Sequence, residues 1–146
     1  MSAVIVVYVD GVFCESSYDV PGAEPDSNSL RWFQNFYDGS KEQFLFVCDS
    51  PNTAAVDAWL RNYGVRFSAL ISVAAEDERG RIEKIIKHVA TQHAKIVLFI
   101  GARFYDCNQM ADQAVPSLRY TPPNQNAKWQ PDPRSSWVKA IEKQQS

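Results

Sequence analysis

The stretch VVYVDGVF, residues 6–13, decides how the rest of the chain is read. It ends the run AVIVVYV (3–9), apolar and β-branched without alternation, which suits a strand buried on both faces, as in a parallel sheet. Asp10-Gly11 then turns the chain out of that strand. The same grammar repeats downstream. NSLRWFQNFYDG (28–39) reads as a helix ending at Gly39, and FLFVC (44–48) is a second buried run. Asp49-Ser50-Pro51-Asn52 breaks it and supplies an N-cap, after which Val56, Trp59, Leu60 and Tyr63 fall at i, i+3, i+4 and i+7, a helical stripe stopped by Gly64. FSALISV (67–73) is a third strand, and Ile82, Ile85, Ile86 and Val89 mark the inward face of the next helix. KIVLFIG (95–101) is a fourth strand, followed by a helix through Met110 and Ala114, and SLRY (117–120) fits a fifth strand. Strands that alternate with helices and are apolar on both sides predict a three-layer α/β/α sandwich around a Rossmann-like parallel sheet.

Composition bounds what such a domain can be. The 146 residues, 45% hydrophobic and 22% charged, suffice for one core, so a single domain over 1–146 is expected, its core spanning about 3–120. The Pro- and Asn-rich stretch TPPNQNAKWQPDP (121–133) is expected to be irregular, ahead of a short terminal helix around Trp137 to Ile141. The net charge of -2, without a basic run, gives no support to nucleic-acid binding. No apolar stretch is long enough to span a bilayer, and no secretory signal opens the chain, so a cytoplasmic protein is expected. Cys14, Cys48 and Cys107 are odd in number and widely spaced, which argues against a disulfide framework or a zinc site.

In an open parallel sheet, ligands gather outside the carboxyl ends of the strands. Those ends here are Tyr8 to Gly11, Cys48 to Ser50 and Gly101 to Asp106. On these residues the chain resembles the haloacid dehalogenase-like (HAD-like) superfamily over about residues 3–120. The family is mostly Mg-dependent phosphohydrolases with a Rossmann-like core. Its first motif, D-x-D-G-[TV], aligns with YVDGV, so that Tyr8 stands at the nucleophile and Asp10 at the acid/base. Its second motif, a strand ending in a phosphate-binding Ser or Thr, meets FVCDSPN, with Cys48 at that point, Asp49 where Asn is frequent and Ser50 one step further. Its basic residue corresponds to Arg79, with Arg81 and Lys84 as alternatives. Its G-D-x-x-x-D motif meets IGARFYD, with Ala102 at the first acidic position and Asp106 at the second.

The altered positions carry the chemistry. Phosphoryl transfer of this kind needs an anionic nucleophile in line and a divalent cation to neutralise carboxylate and phosphate together. A phenol has a reference pKa of about 10 and is bulkier than a carboxylate, so Tyr8 reads as a plug in the cavity rather than a nucleophile. With Tyr8 and Ala102 uncharged, Asp10 and Asp106 remain as metal partners if any metal binds. Each also has a plain reading: Asp10 makes the turn after the first strand, and Asp106 caps the following helix. Arg103 reads first as a solvent-facing loop residue and second as an anion-binding group beside the lost acid. Cys48 reads first as a small buried side chain and second as a thiol activated at a helix N-terminus. His88 and His93 read as solvated surface.

The resemblance therefore implies a catalytically impaired pseudophosphatase that acts as a binding or regulatory protein, without a cofactor. The competing expectation is a Mg-dependent phosphatase or phosphotransferase using Asp10 and Asp106. Family members usually carry a cap domain, for which the intervals 12–28 and 52–66 are too short. The segment SLRWFQNFYDG adds a second aromatic stripe, Trp32 and Phe36, beside Leu30, Phe33 and Tyr37. Two occupants are expected for it: the chain's own tail, through Trp129 and Trp137, or a protein partner or second copy.

Overall fold

The computed structural model describes residues 2–14 and 25–120, and the proposed tail helix with Trp129 and Trp137 lies outside them. The AVIVVYV run becomes β1 (Ser2–Tyr8), followed by α1 (Ser27–Asp38), β2 (Gln43–Cys48), α2 (Thr53–Asn62), β3 (Ala69–Ser72), α3 (Glu78–Thr91), β4 (Ala94–Gly101), α4 (Phe104–Asp112) and β5 (Ser117–Arg119). The five strands form one parallel sheet in the order β3-β2-β1-β4-β5. This is the α/β fold expected from the alternating apolar runs.

Period-two alternation along β1 sorts the core into two layers. Ile5, Val7 and Val9 join Phe44 and Phe46 of β2, and pack under Phe33 of α1 and Val56 and Leu60 of α2. Val4, Val6 and Tyr8 turn to the other face, against Ile82, Ile85 and Val89 of α3 and Met110 of α4. Both sides of β1 are therefore dry, which is why its sequence does not alternate.

Local signals end the elements. Asp26 caps α1 through Ser29 N–H at 3.0 Å, Asn52 caps α2 through Ala55 N–H at 3.1 Å, and Asp77 caps α3 through Gly80 N–H at 2.7 Å. Gly64, at φ +80°, releases the chain after α2 in a conformation that glycine adopts without strain. The third strand is shorter than the apolar run FSALISV, because the edge strand pairs with β2 only from Leu45 to Cys48. The register between β1 and β4 shifts after Val4, which pairs with Ile96 while Ile5 pairs with Leu98, so Val97 is passed over and left 36% exposed.

The order of strands places the site. From β1 the chain builds outward through β2 and β3, then returns to the other side of β1 to add β4 and β5. The direction of winding reverses between β1 and β4, and the crevice at such a reversal is where open α/β sheets bind ligands. Asp10-Gly11 and Ala102-Arg103 leave the sheet at that point.

Candidate functional site at the carboxyl edge of the sheet

The turn after β1 is tight. Phe13 N–H bonds back to Val9 O at 2.9 Å, and Gly11 N–H bonds to Cys14 O at 2.7 Å. Gly11 has φ +87°, and a Cβ there would lie 2.6 Å from the Ala102 Cβ, so both conformation and space require glycine. The same distance shows that the loops after β1 and β4 touch. Tyr8 itself belongs to the α3/α4 layer, while Ala102 packs at the margin of the α1/α2 layer.

Around the end of β1, side chains pair with one another, although the buried Arg81 Nε has no hydrogen-bond partner among the described residues. The Tyr8 hydroxyl, on a residue only 1% exposed, donates to Asp49 Oδ1 at the end of β2. Arg103 Nη2 pairs with Asp49 Oδ2, and Arg103 Nη1 donates to the Tyr8 oxygen at 3.2 Å, its guanidinium 5.0 Å from the Tyr8 ring centroid. Arg103 Nη1 also lies 3.9 Å from Asp106 Oδ2. Asp106 is itself 1% exposed and accepts from Arg81 Nη2 at 2.9 Å. Asp10 Oδ1 accepts the Asp49 backbone N–H at 2.8 Å, which ties the turn after β1 to the end of β2.

Electrostatics follow from this arrangement. Burial, together with the hydrogen bond and charge of Asp49, pushes the Tyr8 phenol far above its ordinary range, so at neutral pH it is a hydrogen-bond donor and not a phenolate. Burial raises the Asp49 carboxyl, but the hydrogen bonds from Arg103 and Tyr8 outweigh it and hold the group below the usual carboxylate range. Burial lowers Arg103, and Asp49 more than reverses that, so the guanidinium stays charged.

Several sequence expectations change here. Arg79 lies on the outside of α3, paired with Glu83 at 3.1 Å, and the basic residue that reaches the site is Arg81. Arg103 is not a solvent-facing loop residue but the centre of the cluster, and as the N-cap of α4 it makes no side-chain cap bond. Asp106 sits inside the first turn of α4 and is ion-paired there, so it is not the cap. Cys48 is fully buried in the α1/α2 layer, with Sγ 3.5 Å from Ser50 O. The Ser50 hydroxyl accepts the Asn52 N–H at 3.1 Å, which shapes the loop into α2. Burial pushes the Cys14 thiol up to about 12, which leaves it a poor nucleophile at neutral pH.

These residues do not fit a divalent cation. Magnesium takes oxygen ligands in near-octahedral geometry, usually one or two carboxylates with several waters. Here Ala102 offers no oxygen in its side chain, Asp106 is engaged by Arg81, and the Arg103 guanidinium already lies among Tyr8, Asp49 and Asp106. Among the described residues, no three His, Cys, Asp or Glu side chains gather in a metal-holding group.

The aromatic face of α1 is more enclosed than its sequence implies. Trp32 lies 6.4 Å from the Phe13 ring and 5.7 Å from Tyr120, and Phe36 lies 6.0 Å from Phe44, with 37% of Phe36 exposed. Tyr120 is anchored by a 2.9 Å bond from its hydroxyl to Asp26. The most exposed large apolar residues among those described are elsewhere: Phe104 at 63%, beside Arg103, and Leu118 at 57% on the edge strand β5. Arg119 lies 5.8 Å from the Phe104 ring centroid. Among the described residues, no helix is long and apolar enough to cross a membrane.

No protein-family model matches the chain, and no curated protein sequence matches it. Its fold does have solved counterparts. A chain in the structure of the Pnkp1/Rnl/Hen1 complex is similar over 85% of this chain, with a TM-score of 0.66 and 9% sequence identity. The match covers 47% of that chain, so this protein spans about half of its neighbour. At that identity the likeness establishes the α/β fold alone.

Proposed function

We propose that this chain is a catalytically impaired HAD-like domain, a pseudophosphatase that works by binding as a regulatory or interaction protein. The observation that carries the reading is the closed triangle of Tyr8, Asp49 and Arg103 at the carboxyl edge. The side chain at the family's nucleophile position is a neutral phenol committed to a carboxylate, and that carboxylate is committed to an arginine. An incoming phosphate would have to displace Asp49 from Arg103, against a local charge that already includes Asp10 and Asp106. The strand order and the contact between Gly11 and Ala102 support the alignment of motifs on which the reading rests.

The competing enzyme, with Asp10 and Asp106 holding magnesium and an activated water as nucleophile, is disfavoured by the pairing of Asp106 with Arg81. A protein partner or a second copy of the chain is the proposed ligand, met through exposed apolar residues such as Phe36 and Phe104. The solved neighbour is itself named as part of a complex, which suits a domain of this fold working inside an assembly. The test is turnover of an aryl phosphate and a set of nucleotides in the presence of Mg, for the wild type and Asp10→Asn. The expected result is no release of phosphate above background by either protein. Turnover by the wild type that Asp10→Asn abolishes would reject the proposal.

A further inference from the structure

We infer that the Arg103 guanidinium is a built-in substitute for the divalent cation that a phosphatase of this fold would hold at its strand ends. The inference rests on the HAD-like reading proposed above and assigns that site a different source of positive charge. In a metal-dependent site, the cation neutralises carboxylates that the ends of neighbouring strands bring together. Arg103 does the same work here with covalent attachment. It follows Ala102 in the loop after β4, at the contact with Gly11, and reaches oxygens on three separate elements: Tyr8 ending β1, Asp49 following β2 and Asp106 in α4.

Charge balance gives the substitution its logic. Asp10, Asp49 and Asp106 bring three carboxylates to this edge, against the two guanidinium groups of Arg81 and Arg103. Arg81 serves the buried Asp106, and Arg103 is the counter-charge for Asp49. A magnesium ion would have to shed water and enter a space already holding a positive group, which costs desolvation and like-charge repulsion. The planar fork of the guanidinium also fixes which oxygens it serves, one nitrogen on Asp49 and the other on Tyr8, a discrimination a lysine could not reproduce.

Thermal unfolding of the full chain in Mg or Mn chloride, against NaCl at matched ionic strength, tests this. Wild-type protein is expected to show the same Tm in all three salts. Arg103→Met is expected to lose roughly 3–6 °C and to recover part of it in millimolar Mg or Mn but not in NaCl. Arg103→Lys keeps the charge, loses the fork, and is expected to fall less and to stay indifferent to Mg. Saturable stabilisation of the wild type by Mg overturns the inference, as does an Arg103→Met protein with unchanged Tm or without cation-specific recovery. Should Arg103→Met fail to fold, a Mg-dependent Tm in Arg103→Lys overturns it equally. Aryl phosphate turnover measured on the same samples separates the two proposals. Metal-free turnover by the wild type defeats the pseudophosphatase reading alone, and Mg binding without turnover defeats the Arg103 assignment alone.

Discussion

The two faces of the central strand are built on different physics, although one sequence run supplies both. On the α1/α2 side, Val7 and Val9 meet Phe13, Phe33, Phe44 and Phe46, where neighbouring rings pack edge-on or stacked at 5.1–5.7 Å between centroids. On the α3/α4 side, Val4 and Val6 are equally dry, but Tyr8 ends the row in a network of carboxylates and guanidinium groups. The first face is held by non-directional burial, which tolerates repacking and is indifferent to pH. The second is also buried but adds directional pairs at its carboxyl end, of which Arg81–Asp106 leaves a costly orphan if either partner is removed. The difference teaches that the carboxyl edge depends on pH and on single partners in a way that the aromatic face does not.

The contrast can be broken most forcefully in the aromatic layer. Phe33→Ala should cost about 3–5 kcal/mol, measured by urea unfolding, with the same loss at every pH from mildly acid to neutral. On the other face, Arg81→Met should cost about 3 kcal/mol, because Asp106 is left buried without its ion pair. Adding Asp106→Leu should restore most of that loss, whereas no second polar-to-apolar exchange is expected to rescue Phe33→Ala. If the Arg81→Met and double variants were equally unstable, the loss would come from packing and not from the orphaned charge.

A smaller effect sharpens the comparison through pH. Tyr8→Phe should cost about 1 kcal/mol at neutral pH, and its sign on either side of neutrality follows from the shifts. Asp49 is held below the ordinary carboxylate range, so its stabilisation is present above its unfolded value and is lost as pH falls through the folded one. Losing the Tyr8 hydrogen bond weakens that shift, so the acid unfolding limb of Tyr8→Phe should begin at higher pH than that of the wild type. Tyr8 is raised, so its contribution is complete below a pH of about 10 and declines as pH climbs toward the folded value. The wild type should therefore lose more stability in alkali than Tyr8→Phe does. Parallel stability profiles for the two proteins would show that the phenol is packed but not coupled.

Much of the fold is local information, and that part reads directly from the chain. Unbroken runs such as AVIVVYV announce strands dry on both faces, and Val56 and Leu60 fall inward where the helical period puts them. The order β3-β2-β1-β4-β5 is set by long-range pairing that no local pattern encodes. Of the positions singled out by spacing, Tyr8 and Asp106 meet Arg103 and Asp10 meets the Asp49 backbone, while Ala102 touches the turn at Gly11. What spacing missed was the partners. Asp49, 41 residues from Tyr8, enters the site because β2 pairs with β1 in register Tyr8↔Val47. Arg81 had a legible signal: it precedes Ile85 by four residues and Val89 by eight, on the most deeply buried line of α3, whereas Arg79 pairs outward with Glu83. Arg103 carried no such signal, because a loop side chain has no periodicity to fix its direction.

A double-mutant cycle on Asp49 and Arg103 tests most directly whether the carboxyl edge saturates itself. With Asp49→Asn, Arg103→Met and the double variant compared by urea unfolding at neutral pH, the pair should show a coupling energy of about 1 kcal/mol, allowing for its partial exposure to solvent. Additive losses, with coupling indistinguishable from zero, would mean that the two side chains stand near each other without compensating, and would contradict the account.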